Sequence, residues 1–272
     1  MTREFTTRSV DRVFAGYALD LDGTVYLGDA LLDGAEETLA GLRNQARVVF
    51  VTNKPLETAD TYAQKLTRLG ILAVTDDVVT PLDSLVHYLE QRHPAATLLT
   101  VAEELVDDVL RDAGYSVTVD PFDAAVVVVS FDRTFTYAKL LAAYRAVNNG
   151  AAIIATNPDP FCPTPDGGLP DCAAMLAAVE ACTGHRAEAI VGKPSAHMGR
   201  AILTRLGVEP EESVIVGDRL LTDIAMAHEL GMSSVLVLTG VTTLDDLEHS
   251  DVQPDFVANS LRELLPIRLE AQ

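Results

Sequence analysis

The sequence predicts an α/β protein built on a Rossmann-like, mostly parallel sheet, with a second αβ domain inserted into it. Three observations lead there. Short aliphatic runs bounded by turn residues alternate with longer amphipathic stretches, the pattern of βα units around a buried parallel sheet. Several runs end in carboxylate-, hydroxyl- or ammonium-bearing residues, and ligands of open α/β sheets bind outside the carboxyl ends of strands. The chain's 272 residues exceed one average domain of roughly 150, and its middle carries turn signals of its own.

Five runs read as core strands: residues 15–19, 47–51, 189–191, 213–216 and 234–238. They are short and rich in Val, Ile, Leu and Ala, as strands buried on both faces should be. Helices are expected over 35–45, 58–69, 196–206 and 222–229. The middle reads as strands 96–101, 124–130 and 152–155 with helices 103–113, 137–148 and 172–183. Asn149-Gly150, Pro158 to Pro160 and Asp166-Gly167-Gly168 punctuate it. The expected division is a discontinuous core of residues 1–82 and 188–272 and an inserted αβ domain of residues 83–187.

Hydrophobic residues at 48% and charged residues at 22% fit a folded globular protein and exclude disordered or collagen-like classes. The formal charge of −20 would repel nucleic-acid phosphates and anionic lipid headgroups, so neither is an expected partner. No stretch approaches the ~18 apolar residues of a membrane span, and the first residues, MTREFTTRSVDRVF, do not read as a secretory leader, so a cytoplasmic location is expected. Cys162, Cys172 and Cys182 lack metal-site spacing and read as reduced thiols.

Four strand ends carry chemistry. The first runs into Asp20-Leu21-Asp22-Gly23-Thr24, two carboxylates before a permissive glycine; a turn with capping aspartates is the plainer alternative. The second ends at Thr52-Asn53-Lys54-Pro55, where backbone N–H groups and a hydroxyl suit an anion, or where Thr52 or Asn53 caps a helix. Lys193 sits in Gly192-Lys193-Pro194-Ser195, and Asp218 and Asp223 follow the strand at 213–216, where a solvated loop accounts equally for Asp218 taken alone. Carboxylates converging at one edge suit magnesium, which takes oxygen ligands and keeps several waters.

Taken jointly, Asp20-x-Asp22-Gly-Thr24, Thr52, Lys193 and Gly217-Asp218 with Asp223 resemble the haloacid dehalogenase superfamily of phosphotransferases over nearly the whole chain. Thr52-Asn53, Ala155-Thr156-Asn157-Pro158-Asp159, Val191-Gly192-Lys193-Pro194 and Gly217-Asp218-Arg219-Leu220-Leu221-Thr222-Asp223-Ile224 resemble its NagD-like, 4-nitrophenylphosphatase branch. The resemblance implies a C2-type αβ cap and a magnesium-dependent phosphatase of small phosphate monoesters. These range over sugar phosphates, glycerol phosphate, phosphoglycolate, nucleotides and 4-nitrophenyl phosphate. Asp20 is then the nucleophile, forming an aspartyl-phosphate, and Asp22 the general acid and base. Mg2+ would be held by Asp20, the Asp22 carbonyl and Asp218, with Asp223 acting through water or the second shell. Thr52, the Asn53 backbone and Lys193 would bind the phosphoryl oxygens. Asn157, Asp159 and Asp132 are the cap residues offered as substrate contacts; a turn built for Asn and Asp side chains accounts equally for Asn157 and Asp159. Dimer contacts through such caps are frequent in relatives, so a homodimer is open. Two departures stand out: Lys54, where relatives commonly carry Asn or Ser, and the Pro160 to Pro163 segment.

A phospho-acceptor signalling domain also groups acids, a Thr and a Lys around magnesium. It needs only roughly 120 residues and no insertion of this size, so length weighs against it.

Overall fold

The structure is a computed structural model, and it describes residues 8–164 and 167–264. In chain order, β1 (Gly16–Asp20) is followed by a small hairpin, β2 (Tyr26–Leu27) and β3 (Ala30–Leu31), then α1 (Ala35–Arg43) and β4 (Arg47–Val51). Next come α2 (Ala59–Arg68), β5 (Val78–Val79), α3 (Pro81–Arg92), β6 (Thr97–Val101), α4 (Glu104–Asp112) and β7 (Ser116–Val117). The chain continues through β8 (Val126–Val129), α5 (Tyr137–Asn148), β9 (Ala152–Ala155), the hairpin β10 (Phe161–Thr164) and β11 (Gly167–Pro170), α6 (Cys172–Thr183) and β12 (Ala189–Ile190). It closes with α7 (Ala196–Leu206), β13 (Ser213–Gly217), α8 (Ala225–Leu230), β14 (Ser233–Val237), α9 (Leu244–His249) and β15 (Phe256–Ala258).

The described residues form two compact units. The first takes residues 8–52, 60–79 and 199–264, and the second residues 53–59, 80–164 and 167–198. The first is built on a six-stranded sheet in the order β15-β14-β13-β1-β4-β5, parallel throughout. Counted along the chain from the β5 edge this is 3-2-1-4-5-6, the doubly wound Rossmann order, and the strand order reverses between β1 and β13. All five residues of β1 are buried, as its apolar run on both faces requires. Register places Leu19 beside Val216 and Asp20 beside Val51, so the ends of β13, β1 and β4 lie level. Away from that edge, Asp77 is anchored by Arg43 at 3.0 Å and Arg47 at 3.1 Å.

The second unit has a five-stranded parallel sheet, β12-β9-β8-β6-β7. Counted from β7 it reads 2-1-3-4-5, the flavodoxin-like order. Its central strand is four consecutive buried valines, Val126–Val129. Val127 and Val129 pack with Ala143 and Val147 of α5 and Val179 of α6, while Val126 and Val128 pack with Leu85 and Leu89 of α3 and Val106 and Leu110 of α4. The start of α3 is fixed by a capping box between Thr80 and Asp83 with Pro81 in the first turn.

The α/β class and parallel sheets agree with the sequence, and several details differ. Ala189–Ile190 joins the second sheet, paired with β9, rather than the core. A short buried aliphatic run carries no signal of which sheet receives it, and here the flanking backbone bonds Glu188 N to Ile153 O and Val191 N to Ala155 O decide. For the same reason the second unit extends past 83–187 on both sides, taking in all of α3, β12 and Lys193. The two-residue β5 and β7, the three-residue β15 and the hairpin β10–β11 carry too few alternating positions to stand out. The expected helix over 222–229 is a wide turn, Leu220–Ile224, running into α8. Asp166 of the expected turn, and residues 1–7 and 265–272 of the expected core, lie outside the described residues.

Candidate active site

Asp20 is the last residue of β1, and the chain turns at once. Val25 N and Tyr26 N both donate to Leu21 O, and Gly23 N donates to Tyr26 O at 2.8 Å. Gly23 takes φ 87°, and a Cβ there would lie 2.7 Å from Asp218 Oδ2, so two reasons hold glycine at this turn. Asp20 is buried, whereas Asp22, two residues on, is half-buried.

Across the β1/β13 switch point, β13 delivers Gly217-Asp218. Asp218 is 1% exposed, and its Oδ2 accepts from Val241 N at 2.6 Å. Asp223, also 1% exposed, returns from the wide turn so that its Oδ2 accepts from Arg219 N at 3.1 Å. A Cβ at Gly217 would fall 2.2 Å from the Asp223 carboxyl carbon, so glycine makes room for that carboxylate. Carboxylate oxygens of Asp20, Asp218 and Asp223 all lie within 4.8 Å of one another.

Three buried carboxylates this close repel, and a divalent cation is the simplest compensation. The donor set is all oxygen, which suits magnesium. Ligands of one Mg2+ at about 2.1 Å stand at most ~4.2 Å apart. Oxygens that all lie within 4.8 Å of one another are therefore close enough to share one such ion, directly or through water. In the same two loops the buried hydroxyls of Thr24 and Thr222 find no hydrogen-bond partner among the described residues, which also marks room for a ligand or its waters.

Thr52 leaves the end of β4 buried, its N–H donating to Val79 O at 3.1 Å. The next residue opens a polar network in the second unit. Asn53 Oδ1 accepts from Lys193 N at 2.8 Å, and Asn53 Nδ2 donates to Lys193 O at 3.1 Å and to Asp159 Oδ2 at 2.8 Å. Asn157 Nδ2 donates to Asn53 O at 2.8 Å, and Asn157 Oδ1 accepts from Asp159 N at 3.1 Å. Asp171, which caps α6, accepts a longer bond from Asn157. Gly192 is obligatory here, since a Cβ would lie 2.5 Å from Thr156 O and 2.7 Å from Asn53 Oδ1.

The sequence-predicted residues thus fall into three groups. Asp20, Asp218 and Asp223 converge in the first unit, with Asp22 and Thr52 leaving from the same strand ends. Asn53, Lys193, Asn157 and Asp159 converge in the second. Asp132 joins neither: its carboxylate is wholly buried, bonded to Lys139 Nζ at 2.6 Å and to the Thr134 N–H and hydroxyl. Lys139 also donates to Ala102 O, so the group ties the loops after β6 and β8. Cys172 is buried and its thiol pushed up to about 11 by desolvation, and among the described residues none of the three cysteines is in a disulfide. Missed from the sequence are Asp171 and the Thr239-Gly240-Val241 stretch after β14. The latter ends a strand beside β13, so the strand-end rule that found the other loops would have found it too.

A doubly wound sheet with an acidic cluster at its switch point, interrupted in sequence by a second αβ unit, sets the class of fold, and comparison with known proteins names the family. A profile of haloacid dehalogenase-like hydrolases matches residues 17–116, and a second HAD-hydrolase-like profile matches residues 190–264. The chain is 35% identical over 257 residues to the sugar-phosphatase AraL of Bacillus subtilis, covering 94% of each chain. The crystal structure of a 4-nitrophenylphosphatase from Thermotoga maritima superposes with a TM-score of 0.86 at 36% identity, over 92% of this chain and 96% of that one. A glycerol phosphate phosphatase from Mycobacterium tuberculosis, solved with magnesium, gives a TM-score of 0.86 at 32% identity, over 95% of this chain and 78% of that one. The chain belongs to the haloacid dehalogenase-like hydrolases, in their NagD-like, 4-nitrophenylphosphatase-like branch.

Proposed function

We propose that this enzyme is a magnesium-dependent phosphatase that hydrolyses small phosphate monoesters through a phosphorylated Asp20. The observation that carries the reading is the convergence of Asp20, Asp218 and Asp223 at the switch point, with Asp22 two residues beyond the nucleophile. The relatives support it, being phosphatases of sugars, glycerol phosphate and 4-nitrophenyl esters by name. The formal charge of −20 supports a small substrate over a nucleic-acid polymer. No helix among the described residues is long and apolar enough to cross a membrane, and a cytoplasmic site of action is part of the proposal.

In the first half-reaction an Asp20 carboxylate oxygen attacks phosphorus, the ester P–O bond breaks, and Asp22 gives its proton to the departing alkoxide. In the second, Asp22 takes a proton from water as its oxygen attacks phosphorus, the Asp20–phosphorus bond breaks, and inorganic phosphate leaves with Asp20 restored. An aspartate suits the first role because carboxyl groups ordinarily ionise well below neutral pH and so need no activating base. Asp20, Asp218 and the Asp22 carbonyl would hold Mg2+, with Asp223 acting through water. The ion supplies charge neutralisation that lets one anion approach another. The Thr52 hydroxyl, the Asn53 backbone N–H and the Lys193 ammonium are assigned to the phosphoryl oxygens. Because the Asn53 side chain already serves Lys193 and Asp159, its backbone is what remains for phosphate. Asn157 and Asp159 are assigned to shaping that network, and Asp132 to holding its loop, in place of the substrate contacts expected of them.

The test is phosphate release from a panel of sugar phosphates, glycerol phosphate, phosphoglycolate, nucleotides and 4-nitrophenyl phosphate, with magnesium or with chelator. Wild type should release phosphate only with the metal, and Asp20→Asn should lose at least about 10³-fold in rate. Wild-type turnover by Asp20→Asn would end the reading.

A further inference from the structure

We propose that Thr239-Gly240-Val241, the turn leaving β14, is a positioning clamp that holds the two acidic loops in metal-binding register. The inference rests on the magnesium-dependent reading above and deepens it by naming residues that set the affinity for the ion.

Three contacts define the clamp, all within the first unit. Thr239 Oγ1 donates to Gly23 O at 2.6 Å, gripping the Asp20–Thr24 turn. Val241 N donates to Asp218 Oδ2 at 2.6 Å, and Thr242 N to Asp218 O at 3.2 Å, gripping the loop after β13 from its side-chain and backbone ends. One four-residue turn therefore bonds to both acidic loops, although the two come from positions in the chain about 200 residues apart.

Gly240 is the part that cannot be exchanged. A Cβ there would stand 1.9 Å from Asp218 Oδ2 and 2.4 Å from its carboxyl carbon. A Cβ at Gly23 would in turn stand 3.1 Å from the Gly240 Cα, so the turns after β1 and β14 close around the Asp218 carboxylate. The backbone bond from Val241 fixes one carboxylate oxygen, which orients the other and restricts the rotation that would otherwise be frozen on binding the ion. Thr239 acts on the other ligand loop through the carbonyl of Gly23, the residue after Asp22. None of these residues needs to touch substrate, so the clamp acts through the carboxylates it holds.

The experiment compares wild type with Thr239→Val, Thr239→Ser and Gly240→Ala. Mg2+ affinity is read directly by calorimetry, alongside the kcat, KM and magnesium dependence of 4-nitrophenyl phosphate hydrolysis and the melting temperature in chelator. Thr239→Val keeps the volume and removes the hydroxyl, and should weaken Mg2+ binding about tenfold, with KM at saturating metal unchanged. Thr239→Ser should stay near wild type, because its hydroxyl can make the same bond. Gly240→Ala, which displaces a ligand outright, should weaken binding by about 100-fold. A folded Thr239→Val or Gly240→Ala that binds Mg2+ as wild type does would overturn the clamp. Wild type that binds no Mg2+ or releases no phosphate would instead overturn the reading on which the clamp rests.

Discussion

Asn53 offers a direct way to test the polar network of the second unit. Its side chain makes three hydrogen bonds: it accepts from Lys193 N, donates to Lys193 O, and donates to the Asp159 carboxylate at 2.8 Å. Asn53→Ala removes all three and leaves three buried partners behind. At about 1 kcal/mol for each neutral bond and about 2 kcal/mol for the one to a carboxylate, the loss is about 4 kcal/mol. Asn53→Asp is the sharper probe, because it conserves shape and the acceptor for Lys193 while replacing the donor with an oxygen aimed at Asp159. Two carboxylate oxygens cannot both stay ionised at such a separation, so this variant should be more damaging at neutral pH than in mild acid. Pairing it with Asp159→Asn restores one donor and one acceptor in exchanged positions and should recover the part of the loss caused by the facing carboxylates, the bond to Lys193 O remaining absent. Urea unfolding and phosphate-release rates on the four proteins, measured at two pH values, read the effect. An Asn53→Asp protein as stable and active as wild type at neutral pH, or a double variant no better than the single, would refute the network.

Three further outcomes follow from the same geometry. Asp218→Asn should raise the melting temperature in chelator, since carboxylate oxygens within 4.8 Å of one another repel by at least about 3 kcal/mol at an effective dielectric near 20. It should also abolish the rise that magnesium gives wild type, and scanning calorimetry with and without the ion checks both. Asp132→Ala should lower stability by about 2 kcal/mol, because it takes the carboxylate from a partly exposed Lys139 ammonium that keeps only the Ala102 carbonyl and the Thr134 hydroxyl, while leaving KM for every ester of the panel unchanged; a changed KM would return Asp132 to the substrate contacts. The Glu103 carboxyl lies below its usual range, chiefly because Arg133 hydrogen-bonds to it. A depressed folded value means the pair stabilises above the unfolded carboxylate range near 4.5 and loses that contribution as pH falls through the folded value. Acid unfolding of Glu103→Gln should therefore differ from wild type at pH 6 and converge with it in strong acid.

How far the sequence foretold this depends on what each residue reveals locally. Asp20, Asp22, Thr52, Lys193, Asp218 and Asp223 stand at the ends of apolar runs, and a strand end is visible in one dimension. The partition between sheets is not: Ala189–Ile190 reads alike for either sheet, and only its pairing with Ile154 and Ala155 assigns it. Asn157 and Asp159 were legible as polar residues in a Pro-framed loop, yet the side chain they serve, Asn53, lies about 100 residues earlier. Asp132 is instructive in the same way. Its position after a strong strand suggests a site, and only the buried contact with Lys139, seven residues on, shows the carboxylate already engaged. Thr239-Gly240 stands after a strand end like the other loops, yet neither residue type announces chemistry, and its part is defined by the distances to Gly23 and Asp218.

The strand order explains why so few residues suffice. β14, β13, β1 and β4 are consecutive neighbours in one parallel sheet, so their carboxyl ends face the same way. Neighbouring strands lie about 4.8 Å apart, which brings four loops across about 15 Å. Each then needs only one turn to meet its neighbours: Val241 after β14 bonds to Asp218, and Asp218 and Asp223 after β13 meet Asp20 at the end of β1, with Thr52 leaving the adjacent β4. Within the β1 loop the two aspartates differ in kind. Asp20 ends the central strand, buried and paired with Val51 of β4, which suits the aim that the proposed attack on phosphorus demands. Asp22 lies past the strand in a hydrogen-bonded turn and is more exposed, which suits the proton transfers proposed for it. A two-residue step off the end of one strand therefore supplies both environments, and the glycine that follows lets the turn close against Asp218.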